Sequence, residues 1–215
     1  MNPFETYYKR YDEWYEKPFG KSAYELEVKC LKNLIKKKGK FLEIGVGTGR
    51  FARMLGIEYG IDTSFNMLKV ARKRGIKVVL AKGEELPFSS ETFDGVFIIV
   101  TLCFVENPKK VIEESYRVLR EWGNLYLGLV LSESSWANYY RKKAENGHPI
   151  YRHARFYSFL EIKNLVKGLF SFESMMSTLI EKPQDTHPVE NKEILSGFLE
   201  NAGFTCIKLE KREKR

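Results

Sequence analysis

The run FLEIGVGTGRF at residues 41–51 constrains this chain more than any other stretch. A short apolar segment, FLEI, ends in glycines at alternate positions, Gly45, Gly47 and Gly49, and passes directly into RFARML, which has the composition of a brief helix. Glycine at such a turn adopts backbone angles that other residues avoid, and its missing Cβ lets a ligand reach the main chain. The spacing separates two kinds of ligand. A dinucleotide loop reads G-x-G-x-x-G, but here the position three beyond Gly47 is Arg50. Glu43, two residues before Gly45, would repel a pyrophosphate and suits a ligand carrying an amino group or positive charge. Nineteen residues after Glu43 comes Asp62, in GIDTS, where a carboxylate at a strand end can accept both hydroxyls of a ribose.

The flanking sequence alternates strand and helix patterns. SAYELEVKCLKNLIKKKG (22–39) places Ala23, Leu26, Cys30, Leu31, Leu34 and Ile35 on one helical face and stops at Gly39. IEYGID (57–62), KVVLA (77–81), FDGVFIIV (93–100) and NLYLGLVL (124–131) read as strands. Ser64 caps a helix ending at Gly75, and Asn107-Pro108 opens another whose buried face is Val111, Ile112, Val118 and Leu119. The unbroken apolar run at 93–100 suits a strand covered on both faces, so a doubly wound, parallel α/β sheet is expected. Residues 132–157 are polar and aromatic. Ser158 and Glu161 then form a capping box for a helix through Leu169, and strands are expected at 172–180 and 204–210 with a helix at 188–203 between them.

Composition narrows the partners. Apolar residues make up 43% of 215, which fits a globular domain, and no apolar run reaches the ~18 residues of a membrane span. The N-terminus is charged and aromatic, without the apolar core of a signal peptide, so a cytoplasmic location is expected. A single Gln beside abundant Lys and Glu points to a heat-adapted source. The net charge of +8 is scattered over short pieces such as KKKGK (36–40) and the tail KREKR, which describes a solvated basic surface before it describes a nucleic-acid footprint. Cys30, Cys103 and Cys206 lie far apart, with no CxxC pair or neighbouring histidine; three reduced core thiols and no metal site are expected.

The ordered series EIGVGTG (43–49), GIDTS (60–64), GEELPF (83–88), FDGVFIIVTLCFVENP (93–108) and RVLREWGNLYLGLV (117–130) resembles the Rossmann-type (class I) S-adenosylmethionine-dependent methyltransferases. The branch it is most similar to contains quinone-biosynthesis and small-molecule methyltransferases. The resemblance covers roughly residues 40–131 and, more loosely, YDEWYEKPFG (11–20). It implies a mostly parallel seven-stranded sheet with helices on both faces and an antiparallel C-terminal strand. It also divides a single domain into an N-terminal helical lid (1–38), a cofactor-binding core (40–131), a variable acceptor segment (132–170) and C-terminal strands (171–215). Glu43 and the loop Gly45, Val46, Gly47 and Gly49 would hold the methionine end of the cofactor, and Asp62 its ribose. Thr63, Ser64 and Met67 would flank the adenosine, with Gly83, Glu84 and Glu85 framing the adenine. Lys82 departs from the pattern, standing where the branch often has Asp. Thr101 and Leu102 would lie beneath the sulfonium.

Methyl transfer from a sulfonium needs alignment of the acceptor more than a protein nucleophile, and a base only where the acceptor must lose a proton. Catalytic side chains are therefore left unassigned. His148, His153 and His187 read first as surface or packing residues, with His153 the candidate if a base is used. Tyr11 and Tyr15, in an aromatic N-terminal run, read either as sheet-edge packing or as a lid whose rings attract a sulfonium or amine. Trp136 and Tyr140 are expected in the other wall of the acceptor pocket. Thr101-Leu102-Cys103-Phe104 is unlike the Asn-Pro-Pro-Tyr tetrapeptide of adenine-N6 methylation. A small-molecule acceptor is thus the leading reading. RNA or protein as acceptor, and a non-catalytic S-adenosylmethionine-binding module, are the alternatives.

Overall fold

The computed structural model describes residues 2–213. Two helices precede the sheet, α1 (Pro3–Trp14) and α2 (Pro18–Leu34), each opening on a proline whose missing N–H would find no partner in a first turn. The alternating region then gives β1 (Phe41–Ile44), α3 (Arg50–Leu55), β2 (Tyr59–Asp62), α4 (Phe65–Lys73), β3 (Lys77–Leu80), β4 (Phe93–Ile99), α5 (Pro108–Val118) and β5 (Leu119–Leu129). The remainder forms α6 (Ser135–Glu145), α7 (Phe159–Val166), β6 (Phe170–Thr178), the two-residue β7 (Leu195–Ser196) and β8 (Phe204–Lys211). The strands make one sheet in the order β3-β2-β1-β4-β5-β8-β6-β7. Strands β1 to β5 are parallel, while β8 runs antiparallel to both β5 and β6. The expected architecture holds, with β7 as a short addition at the edge.

The order places a switch point at the centre. From β1 the chain winds outward through β2 and β3, then returns to lay β4 on the opposite side of β1. Loops leaving β1 and β4 therefore diverge, and a crevice opens where they part. Alternation along β4 supplies both cores. Val96 and Ile98 pack under α5 and α7, while Phe97 and Ile99 pack on the face that carries α2, α3 and α4.

Two expectations are corrected. Residues 188–203 form no helix. Their main-chain groups are taken by neighbours: Glu181 accepts from the N–H groups of Glu190 and Asn191 at 2.8 and 3.0 Å, and the hydroxyls of Ser177 and Thr178 donate to the carbonyls of Gly197 and Glu193. Pro188 and Gly197, at φ 92°, also oppose a continuous helix. The second correction concerns the thiols. Cys30 on α2 and Cys206 on β8 form a disulfide, and Cys103 alone is free. Their separation of 176 residues left no local signature, but α2 lies across β8 and brings the Cα atoms to 6.4 Å, within the span of a disulfide.

The disulfide is testable by counting. Alkylation of the denatured, unreduced protein should label Cys103 alone, and prior reduction should expose all three cysteines. A Cys30→Ala/Cys206→Ala variant should keep its circular dichroism and lose roughly 2–4 kcal/mol in denaturant unfolding; three labelled thiols without reductant would refute the crosslink.

Candidate functional site

The glycine loop is held in the left-handed region throughout, with φ of 72° at Gly45, 52° at Gly47 and 80° at Gly49, angles that explain three glycines at alternate positions. Each has a second constraint of its own. A Cβ on Gly45 would collide with the side chain of Thr101. At Gly49 it would press on Ala71 at 3.1 Å. A Cβ on Gly47 would meet nothing within 4 Å, so here the bare backbone faces open space.

Asp62, at the end of β2, meets this loop directly. Its Oδ2 accepts from the Gly47 N–H at 2.9 Å and its Oδ1 from the Ser64 N–H at 2.8 Å. Burial pushes its pKa up, and those backbone donors pull against the shift. Two register steps inward, Glu43 is buried on β1 beside Gly60 of β2. Burial raises its pKa well above the carboxylate range, the Ala52 N–H opposes the rise, and Oε2 has no hydrogen-bond partner. An orphan buried carboxyl oxygen, an open glycine turn and a second carboxylate together fit a ligand with a cationic amino group at one end and a diol at the other.

Other expected residues are occupied by the fold. Ser64 caps α4 by accepting from Met67 N–H at 3.1 Å, and its hydroxyl donates to Glu5 at 2.6 Å. Met67 is buried beneath it, and Thr63 accepts from the Asn2 amide at 3.0 Å. Gly83 packs closely, since a Cβ would approach Ile44 to 2.8 Å. Glu84 accepts from the N–H groups of Glu106 and Asn107, tying the loop after β3 to the start of α5, while Glu85 is exposed. Lys82 pairs with Glu106 at 3.3 Å. Thr101 does reach the loop, donating weakly to Gly45 O at 3.3 Å, whereas Leu102 is buried in the core beneath α5. Val100 between β4 and Thr101 has φ 50°, an uncommon angle for a β-branched residue and one that clusters at functional sites.

Helix α1 lies over this crevice, anchored by Asp12, which the sequence reading passed over. The Asp12 carboxylate accepts from the Thr48 hydroxyl at 2.6 Å, Arg50 Nε at 2.8 Å and both terminal nitrogens of Arg74 at 2.9 and 2.8 Å. Burial works against its charge, yet Arg74, Arg50 and Thr48 hold the carboxyl well below the usual range. One side chain thus ties α1 to the glycine loop, α3 and α4.

Beside the crevice, a cavity of about 640 Å³ opens between α1 and residues 130–156. Val100, Cys103 and Phe104 bring it to the exit of β4. Tyr11 and Tyr15 line it, their hydroxyls 2.9 Å apart, as do Tyr140 and Tyr151, whose rings lie 4.4 Å apart. Glu43, the glycine loop and Asp62 are not in its wall. Trp136 is not either: it stacks on Phe19 and donates its indole N–H to Glu181 O, a packing role behind the wall. His153 is also misplaced by the sequence reading, being exposed and accepting from Arg152 at 3.0 Å. His148 lines the cavity instead, its pKa lowered by burial and by Arg10 and Lys143. Burial pushes the Cys103 thiol up to about 12, which keeps it a neutral wall. The cavity also holds a buried carboxyl that the sequence reading missed, Glu27 of α2, pushed up to about 8 by burial. It sits within an otherwise apolar stripe, where an isolated acid is the only available signal.

Comparisons with known proteins show the family. Residues 42–127 match the methyltransferase domain family. A protein of Methanocaldococcus jannaschii, itself uncharacterized, is 42% identical over 98% of this chain and all of its own. The ubiquinone/menaquinone biosynthesis C-methyltransferase of Haemophilus ducreyi is 30% identical over 80% of this chain and 67% of its own. The crystal structure of a Thermotoga maritima protein, described as a SAM-dependent methyltransferase and possible histamine N-methyltransferase, superposes with a TM-score of 0.88. It is 34% identical and 98% of each chain is covered. Switch-point crevice, glycine turn, paired carboxylates and relatives converge, and the chain belongs to the S-adenosylmethionine-dependent methyltransferases, enzymes whose cofactor leaves as S-adenosylhomocysteine.

Proposed function

We propose that this enzyme methylates a small molecule seated in the cavity between α1 and residues 130–156, with the methyl donor held across the glycine loop. The observation that carries this reading is the cavity itself. Its volume of about 640 Å³ lies in the range of small-ligand sites, roughly 300–1,000 Å³. Its wall includes Val100, the residue before Thr101, whose hydroxyl donates to Gly45 O, so an acceptor there lies on the side of the loop that would hold the donor.

In this reading Glu43 receives the donor's ammonium through its unpartnered oxygen, Gly47 offers bare backbone, and Asp62 presents its remaining acceptor capacity to the ribose hydroxyls. The bound cofactor supplies a methyl group already activated by its sulfonium. The protein's remaining task is to hold the acceptor in line and keep water out, and such positioning can lower a barrier by ~7–11 kcal/mol. Within the N-terminal segment, α1 acts as the lid, with Tyr11 and Tyr15 presenting rings to the cavity and Asp12 latching α1 down. Ser64 and Met67 support the site by fixing the start of α4.

Calorimetric titration with S-adenosylmethionine and S-adenosylhomocysteine tests the donor site. Asp62→Ala should weaken binding of either by roughly tenfold or more; unchanged affinity would remove Asp62 from the site. A screen with labelled methyl donor then tests the acceptor class, and it should include biogenic amines such as histamine, quinone precursors, and RNA and protein as negative arms. Label appearing only in the macromolecular arms would overturn the small-molecule reading.

The latch has its own readout. In Asp12→Ala, amide hydrogen exchange across residues 3–14 should accelerate by about an order of magnitude or more, since α1 loses the carboxylate contacts to Thr48, Arg50 and Arg74 at once. S-adenosylhomocysteine should also dissociate faster. Exchange at the wild-type rate would mean that Asp12 does not hold the lid.

A further inference from the structure

The structure assigns Glu27 as the residue that recognises the acceptor, and we infer that the acceptor is an amine, bound at a lone carboxyl among tyrosine rings and methylated on nitrogen. This rests on the proposed function above and deepens it, by naming the chemistry of the group that is methylated.

Position comes first. Glu27 lies on the inward face of α2, between the buried residues Leu26 and Val28, yet it lines the cavity. It has only 7% of its surface exposed, and among the described residues no ion pair or side-chain hydrogen bond to its carboxyl explains an acid here. Burying an unpaired carboxyl is costly, and a fold retains one where a partner arrives from outside. Tyr11, Tyr15 and Tyr140 share the cavity with it, and each of their hydroxyls feels the Glu27 charge. Aromatic faces around a carboxylate suit one class of guest, a cation with apolar flanks.

The charges at the mouth do not favour the opposite guest. Lys143 is paired with Asp185 at 2.8 Å, and Arg10 and Lys17 lie at the exposed rim. The buried acid is Glu27.

Proton accounting points the same way. An ammonium nitrogen has no lone pair, so it must lose a proton before it can attack a methyl group. Glu27 takes that proton: the N–H bond breaks, an O–H bond forms on the carboxylate, and a neutral amine and a neutral acid remain. In a dry cavity this pair is favoured over separated charges, and the raised Glu27 pKa fits it. The freed lone pair forms the N–CH₃ bond while the S–CH₃ bonding electrons stay on sulfur, leaving an N-methylated ammonium and a neutral thioether. His148 is less suited to the task, because its Nδ1 already accepts from the N–H groups of Ile150 and Tyr151 at 3.3 and 3.4 Å. A neutral ring then carries its proton on Nε2 and has no lone pair to offer there.

The test uses three probes of one shape: phenethylamine, 2-phenylethanol and 3-phenylpropionate. Their binding is measured by calorimetry on the wild-type protein and on Glu27→Gln, alongside S-adenosylhomocysteine. Wild type should hold phenethylamine at least about tenfold tighter than the alcohol and the carboxylate. Glu27→Gln should erase that preference while binding S-adenosylhomocysteine as wild type does. Equal binding of amine and alcohol by wild type, a preference for the carboxylate, or an amine preference surviving in Glu27→Gln would each overturn the assignment. The wild-type comparison decides even if the variant fails to fold. Failure of wild type to bind S-adenosylhomocysteine would instead strike the donor-site reading, whatever the amine result.

Discussion

The hydrogen bond from Gly47 N–H to the Asp62 carboxylate, 2.9 Å long, joins the two halves of the site. It exists because β1 and β2 are parallel neighbours whose C-terminal ends finish together, Ile44 opposite Ile61. A side chain at Gly47 would find space but not a comfortable backbone angle, so the turn depends on glycine for its conformation and on Asp62 for its position. The second oxygen of Asp62 fixes Ser64, and Ser64 in turn starts α4. A single carboxylate thereby sets the mutual placement of glycine turn, strand end and helix. Its burial opposes ionisation, and the N–H groups of Ser64 and Gly47 that offset this are the contacts that build the site.

Over this rigid base α1 is attached by polar contacts. None of its described residues is fully buried; Asn2, Glu5 and Asp12 hold it through polar contacts, and the half-buried rings of Phe4, Tyr11 and Trp14 add contacts to Phe104 and the core. Apolar burial is hard to undo in pieces, whereas a few hydrogen bonds and ion pairs can break and reform as a unit. A lid over a crevice that must admit a cofactor and release its product has reason to be built this way. Beside the lid, the Cys30–Cys206 crosslink ties α2 to β8, so motion of α1 need not loosen the helix that carries Glu27.

Much of this was legible in the sequence because its causes are local. Strand periodicity, the caps at Ser64, Asn107 and Ser158, and the glycine spacing each lie within a few residues, and each matches the structure. What escaped depends on distant parts of the chain. Cys30 and Cys206 are 176 residues apart. The helix expected at 188–203 was displaced by side chains of β6 and of Glu181, which claim its backbone groups. Asp12 looked like one acid in a charged helix until Arg50 and Arg74 arrived from other elements. His153 and Trp136 were chosen from an aromatic segment without knowing which of its residues face inward. Tyr140, expected in that wall, does line the cavity, and His148 and Tyr151 stand there in place of His153 and Trp136.

The site's division of labour follows from where charge must change. At the donor end the charge is present before the reaction and lost during it, so acidic residues there serve to bind and orient, and Glu43 and Asp62 are suited to that. For the amine acceptor proposed above, a proton must leave at the acceptor end, and a strong base such as an ionised tyrosine is out of reach, because burial raises the pKa of Tyr11, Tyr15, Tyr140 and Tyr151. Those hydroxyls stay neutral and act as polarisable walls. The thiol of Cys103 is neutral for the same reason. Among the described residues lining the cavity, Glu27 combines burial with a proton affinity between that of an ordinary carboxylate and that of an amine. A base matched this way can take the proton without binding it so tightly that the next cycle stalls.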